Sequence, residues 1–576
     1  MTGKRSSPGR NTENPARRRA GGPRLLDTAE RERLERRTAE GGVLGSGWAR
    51  LRLRTDNNRH ANHANRPDNV TGPQVTLSGA SGAGGGRWRS IARPAEWRGT
   101  TAQIAGLWPW CVGAGAPLLG TPLGSHLTTG APVCFDPFNW FSRGSFLTAP
   151  SLFVLGLNGF GKSSLVRRIV LGGIAQGVTP LILADVKPDY RSTVLACGGQ
   201  VVDVGYGHGQ LNPLDPALLG KAMQQLRASG RHEAAENVAA ELRARQTNLI
   251  AGLVELIRGE RIADYEDTLI STALRLLNTP VAEGGRGFTV DSPAILDDLL
   301  EVITGGGEEL MLDAAAATSQ RYAEAIVPLR RSLRALTQGP FGQVFNGQTT
   351  VALDLEAPAV CVDVSHIPTG DTKLKAAVML SCWAIGFGSI EALNMLAENG
   401  IGKQRVFQVV MDELWQVLGL GEFMVARVDE LTRLQRSLAV SLILISHSVR
   451  DLHNIGGTAG ARALGFLERS RAKILGALPA EELELLDGIV KLTGAEADMV
   501  TSWSAPQALT GEPLRPGMPR PMAAGVGKFL LKVSEDRSPG IPFQLHLTDV
   551  ERIRGIHSTS ELFSQFHRDA AGGMAA

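Results

Sequence analysis

The chain has 576 residues, enough for two to four domains, and its 43% apolar and 20% charged content is ordinary for a globular protein. The sequence has no run of about eighteen apolar residues and no apolar core behind the basic N-terminus, so neither a spanning helix nor a secretory signal is expected. Cys111, Cys134, Cys197, Cys361 and Cys382 show no C-x-x-C spacing, so free thiols in a reducing compartment are expected, and with them a cytoplasmic location.

The net charge of +3 averages unlike parts, because arginines crowd the start (Arg17–Arg19, Arg31, Arg33, Arg36, Arg37, Arg50, Arg52, Arg54). Residues 1–95, rich in Arg, Gly, Asn, Pro and Ser, read as a disordered basic tail with one short charged helix near Thr28–Thr38. Residues 96–150 read as strands and a hairpin flanking the core that follows, around Gly124 and Gly130-Ala-Pro-Val-Cys-Phe-Asp136.

Next the apolar run Leu152–Leu155 enters Gly156-Leu-Asn-Gly-Phe-Gly-Lys162-Ser163-Ser164, a match to G-x-x-x-x-G-K-[ST]. A strand, a glycine loop and a helix in that order curl successive backbone N–H groups into a cradle for phosphates. The positive end of the helix dipole points at the same spot. Gly156, Asn158, Gly159, Phe160, Gly161, Lys162, Ser163 and Ser164 are therefore the expected triphosphate contacts. Lys162 would reach the β- and γ-phosphates and the Ser163 hydroxyl would ligate Mg²⁺.

Short apolar runs then recur at Pro180–Asp185, Gln200–Val204, Ala359–Val364, Phe407–Met411, Leu442–Ile445 and Ala463–Leu467, and Lys528–Val533 with Phe543–Leu547 reads as an antiparallel edge hairpin. Strands alternating with helices imply an α/β fold with a mainly parallel sheet. Between about Pro216 and Leu336 the period becomes helical. The expected division is a nucleotide-binding core at 151–215 and 340–555, an all-α insertion at 216–339, and a flexible tail at 556–576.

Phosphate loops need a carboxylate for the metal and a group that orients water. The strand ending in Met411-Asp412-Glu413 offers both: Asp412 for Mg²⁺ and Glu413 to polarise the water. No N-K-x-D guanine motif occurs, and about 250 residues separate loop from strand, which favours ATP in a larger enzyme. Arg436 precedes the Leu442–Ile445 strand and His447 follows it. In a ring, such an arginine reaches a neighbour's site and such a polar residue senses the γ-phosphate.

Taken together these residues resemble the HerA–FtsK superfamily, and within it the TraC/TrbE-type ATPases of conjugation and type IV secretion. The resemblance rests on G-A-P-V-x-F-D136, the phosphate loop, Asp185-Val-Lys-Pro-Asp189-Tyr190, Asn212-Pro-Leu-Asp215, the Asp412-Glu413 pair and the unit from Arg436 to His447. It implies a RecA-like P-loop core and a hexameric ATPase that uses ATP and Mg²⁺ at the inner face of the membrane. It also implies channel subunits as partners, with DNA or a DNA–protein complex as cargo. Departures from the family are His447 in place of the usual Gln and Pro188-Asp189 in place of Gly-Glu. Low-complexity residues stand where a docking domain is usual, which a separate polypeptide would then supply. Two other readings are a HerA/FtsK-like DNA translocase or coupling protein, and an ATP-binding scaffold with little turnover.

Overall fold

The computed structural model of the chain describes residues 26–40, 42–64, 74–76, 79–81, 116–418, 424–425, 428–429, 440–453, 457–505, 523–533 and 537–557. It divides into two compact units, Met1–Pro109 and Trp110–Ala576.

The first unit holds more structure than the tail reading anticipates. Besides a helix at Thr28–Glu40 it has a second at Val43–Ala64 and a small antiparallel pair, β1 (Gln74–Thr76) and β2 (Gly79–Ser81). Composition misleads here because apolar residues are sparse in the segment, yet Leu34 and Ala49 are buried. Buried Asp56 ties the two helices, accepting from the Leu26 N–H at 3.0 Å and from Arg31 at 3.3 Å.

An eleven-stranded sheet organises the second unit, in the order β4-β3-β13-β12-β11-β5-β10-β9-β6-β8-β7. The strands are β3 (Pro122–His126), β4 (Pro132–Cys134), β5 (Ser151–Leu155), β6 (Thr179–Asp185), β7 (Gln200–Asp203), β8 (Val360–Asp363), β9 (Phe407–Met411), β10 (Val440–Ser446), β11 (Ala472–Leu475), β12 (Lys528–Lys532) and β13 (Ile541–Leu545). From β11 to β7 every pairing is parallel, and β12, β13, β3 and β4 continue it antiparallel. Every residue of β5, β6, β8, β9 and β10 is buried, as expected of parallel strands covered on both faces.

Two expectations are corrected. Ala463–Leu467 is not a strand but part of the helix Gly457–Arg469: Ala463, Phe466 and Leu467 are buried at helical spacing, and the strand is the next segment, β11. The β12–β13 hairpin is not the sheet's edge either, because β13 pairs onward with β3. That pairing explains Gly124, where a Cβ would meet the Gln544 carbonyl oxygen at 1.9 Å.

Between β7 and β8 run eight α-helices, from Ala217–Ala228 to Gly339–Phe345. Their apolar faces (Leu249, Leu253, Leu269, Leu274, Leu333) belong to one continuous core with Leu181, Val362 and Val409 of the sheet. The helical segment is thus packed onto the sheet rather than tethered to it.

The helix Thr372–Glu398 is long and apolar enough to cross a membrane, with a mean hydropathy of 1.6 over an 18-residue window. Ser381, Ser389 and Asn394 interrupt it, so no unbroken apolar run announces it. Because 78% of that window is buried inside the protein, it serves as a core helix. Gly386 lets it approach β6, since a Cβ there would stand 2.4 Å from Leu183, and Trp383 donates to the Leu183 carbonyl at 2.7 Å.

Near the C-terminal end, buried Glu496 accepts the N–H of Gly540 at 2.6 Å and of Thr493 at 2.8 Å, and pairs with fully buried Lys532 at 3.3 Å. Burial alone would raise its pKa, but these donors and the ammonium outweigh it and hold the carboxyl below the ordinary range. Its contribution to stability is therefore present above the unfolded pKa and lost as pH falls through the folded one. Glu496→Ala strands the Lys532 charge, and a loss of about 3–5 kcal/mol in urea unfolding at neutral pH is expected. An unchanged midpoint would disprove the bracing role.

Candidate nucleotide-binding and hydrolysis site

The site is assembled from strand ends. Strands β5, β10 and β9 lie side by side, with Leu155 opposite Ser446 and Met411 opposite Leu444. The residues just past them, Gly156, His447 and the Asp412-Glu413 pair, therefore emerge at one edge of the sheet. That carboxyl edge is where open α/β sheets bind ligands. On the far side of β9, β6 delivers Asp185 to the same edge, re-aimed by an irregularity at Ala184 (φ 82).

After β5 the glycine loop turns into the helix Lys162–Ala175. Gly159 (φ 85) and Gly161 (φ 97) take left-handed angles that a side chain disfavours. At Gly156 the constraint is space, because a Cβ would lie 3.1 Å from the Gly476 Cα beyond β11. The Lys162 side chain is buried, and its Nζ donates to the Gly156 carbonyl and, at 3.2 Å, to Asn158 Oδ1. Burial pulls its pKa down to about 8, against the upward pull of the Asp412 and Glu413 charges. Phe160 gives its carbonyl to the Gly527 N–H at 3.0 Å and packs on the main core. Half-buried Ser164 comes next in the helix's first turn.

Ser163 Oγ donates to Asp189 Oδ2 at 2.8 Å. Asp412 Oδ1 accepts its neighbour's N–H, from Glu413, at 2.7 Å, and Oδ2 accepts from the Tyr190 hydroxyl at 3.2 Å. Burial first, and then the Glu413 charge, push the Asp412 carboxyl up to about 7, and burial pushes Asp185 up to about 6. Glu413 sits at φ 52, an unusual angle for a side-chain-bearing residue and a form of strain that clusters at functional sites. Its carboxylate pairs with Lys187, accepts from Trp415 Nε1, and lies 3.8 Å from His447 Nδ1. Burial raises its pKa, but Lys187 and Trp415 more than offset this and keep it low. His447 also meets Trp415 edge to face at 5.3 Å.

Lys162, Ser163, Asp412, Glu413 and His447 are thus brought together, whereas Arg436 lies outside the described residues. Sequence reasoning assigns no role in the site to Lys187, Trp415, Asp189 or Tyr190. Of these, Lys187, Asp189 and Tyr190 stand in the Asp185–Tyr190 motif, and the Trp415 indole has no sequence signal.

The donor set suits Mg²⁺: a serine hydroxyl and a carboxylate, both oxygen, beside a phosphate cradle. A buried carboxyl held up by desolvation and neighbouring anions is one that a divalent cation would ionise. Among the described residues, Asp203, Asp363 and His366 also bring ligand atoms within 4.8 Å of one another. There Arg191 already donates to both carboxylates. The cysteines Cys134, Cys197, Cys361 and Cys382 are free.

No protein-family model and no curated protein matches the chain. Among solved structures it is similar to VirB4 of Thermoanaerobacter pseudethanolicus, at 18% identity and a TM-score of 0.55, covering 76% of this chain and 100% of that one. Plasmid coupling protein TrwB in complex with ADP and Mg²⁺ aligns at 12% identity and a TM-score of 0.43, covering 76% of this chain and 97% of that one. The cytoplasmic domain of the Thermomonospora curvata type VII secretion ATPase EccC aligns at 12% identity and a TM-score of 0.29, covering 78% and 31%. Sheet order, glycine loop and the likeness to VirB4 together identify the fold: a RecA-like P-loop α/β core.

Proposed function

We propose that the chain is an ATP-hydrolysing motor of a conjugation or type IV secretion apparatus, of the TraC/VirB4 kind within the HerA–FtsK superfamily. The observation that carries this reading is the meeting, across β10, of the Lys162–Ser163 loop with the Asp412-Glu413 pair. The loop amides and the Lys162 ammonium bind the triphosphate, and Ser163 with Asp412 hold Mg²⁺, which when bound neutralises phosphate charge. Glu413 accepts a proton from the water that attacks the γ-phosphorus in line as the bond to the β-phosphate oxygen breaks. Lys187 must release Glu413 for that role. His447, beside Glu413, donates to the γ-phosphate, and Arg436 reaches the site of a neighbouring subunit in a hexameric ring.

Its place in the cell would be the inner face of the membrane, with channel subunits as partners and DNA or a DNA–protein complex as cargo. One observation favours the alternative of an ATP-dependent scaffold: the Lys187 ion pair keeps Glu413 engaged in the structure described. The test is ATP hydrolysis by the purified chain together with its mass distribution with and without Mg²⁺ and ATP. Magnesium-dependent turnover and a nucleotide-favoured ring are expected. A monomer without turnover under all conditions would end the motor reading. Stimulation by DNA would favour a translocase or coupling protein.

A further inference from the structure

The turn that joins β6 to the helix Arg191–Ala196 touches both groups assigned to the metal. Asp189 Oδ2 accepts the Ser163 hydroxyl at 2.8 Å, and the next residue, Tyr190, donates its hydroxyl to Asp412 at 3.2 Å. The turn is itself pinned from below. Asp185, 1% exposed, accepts the Asp189 N–H at 3.1 Å and the Tyr190 N–H at 2.8 Å. Arg167, also 1% exposed, stands 3.4 Å from Asp189 Oδ1 and is anchored by the Ile556 carbonyl at 2.6 Å. One braced turn therefore grips two metal-binding groups that come from elements far apart in the chain.

We infer that Asp189 and Tyr190 are positioning residues for the metal site, acting through Ser163 and Asp412. The inference rests on the ATPase reading above. A serine hydroxyl has one proton to give and two lone pairs. By giving the proton to Asp189, Ser163 keeps its lone pairs available for a cation, and its rotamer is held before the metal arrives. Tyr190 does the corresponding work on Asp412, occupying one lone pair of Oδ2, while the Glu413 N–H occupies one of Oδ1. Outer partners of this kind orient metal ligands and typically contribute about 10- to 100-fold in metal affinity. The aspartate at 189 is thus short enough to reach Ser163 from a turn that is already fixed, and a direct bond between Ser163 and Asp412 is not needed to set the hydroxyl.

The test uses the full chain and the variants Asp189→Asn, Tyr190→Phe, Ser163→Ala and the double variant Asp189→Asn/Ser163→Ala. Binding of a fluorescent ATP analogue is measured in EDTA, then Mg²⁺ is titrated, and bound Mn²⁺ is followed by electron paramagnetic resonance. In Asp189→Asn the donating Arg167 draws the amide oxygen and leaves the NH₂ facing Ser163, which can no longer give its proton there. The variant is therefore expected to keep the EDTA affinity within about twofold of wild type and to weaken the metal by about tenfold. The double variant should bind metal no more weakly than Ser163→Ala alone, because Asp189 acts through that hydroxyl. Multiplied losses in the double variant would overturn the inference and make Asp189 a ligand in its own right. So would unchanged metal affinity with a lowered melting temperature, which would leave Asp189 only a brace for Arg167. If Asp189→Asn does not fold, Tyr190→Phe decides by the same two readings. Failure of the wild type to bind the analogue would overturn the ATPase reading with the inference. Normal wild-type binding with an indifferent Asp189→Asn would overturn the inference alone.

Discussion

Lys162→Ala is expected to lower nucleotide affinity by roughly a hundredfold or more, with hydrolysis lost in proportion. The ammonium would contact two phosphates, and charged hydrogen bonds contribute about 1.5–3 kcal/mol each. In the structure described, its Nζ is satisfied by the Gly156 carbonyl and Asn158. Removing it leaves those acceptors to solvent rather than collapsing the loop, whose angles come from Gly159 and Gly161. The variant should therefore melt close to wild type without ligand and gain nothing when ATP is added. A thermal-shift comparison with and without Mg²⁺ and ATP checks both halves. Retention of the ATP-induced shift would show that Lys162 does not hold the phosphates.

Glu413→Gln is the sharper experiment, because it separates binding from turnover. The amide keeps the size of the carboxylate and can still accept from Trp415 Nε1, but cannot take a proton from water. ATP affinity should stay within a few-fold of wild type, while turnover falls by about 10²–10⁴-fold, the usual contribution of a positioned base. Bound ATP should then persist unhydrolysed when single-turnover mixtures are quenched and separated. Normal turnover would remove Glu413 from the water-orienting role. Equal and negligible rates in wild type and variant would instead favour the scaffold. The Lys187 pair, lost as an ion pair in the variant, gives a control: Lys187→Met should leave the base intact.

Legibility in the sequence varies with the kind of information an element needs. Strands β5, β6, β8, β9 and β10 are apolar along most of their length, because a sheet covered on both faces leaves no polar alternation, and such runs are easily read. The Ala463–Leu467 run looks the same and is a helix. Five apolar residues cannot distinguish a buried strand from one face of a helix, and only packing against neighbours decides. Likewise the β12–β13 hairpin is readable as a pair, but not its place inside the sheet, which depends on β3 arriving from more than 400 residues away. The second helix of the first unit escapes a reading by composition because Asp56 and Asn57 join it to the first through polar contacts, beside only a few buried apolar residues such as Leu34 and Ala49.

Local pattern alone determined the phosphate loop, the acid pair at the end of β9 and the α/β alternation, because each is a statement about neighbours in the chain: glycines where angles must be left-handed, a carboxylate one step past an apolar strand. What only the tertiary structure decided is who holds whom. Ser163 to Asp189, Tyr190 to Asp412, and Glu413 between Lys187, Trp415 and His447 are contacts between residues up to 226 positions apart, set by strand order across the sheet. Order in a parallel sheet follows from which helices cover which face, a property of the packed whole that no short stretch of sequence carries.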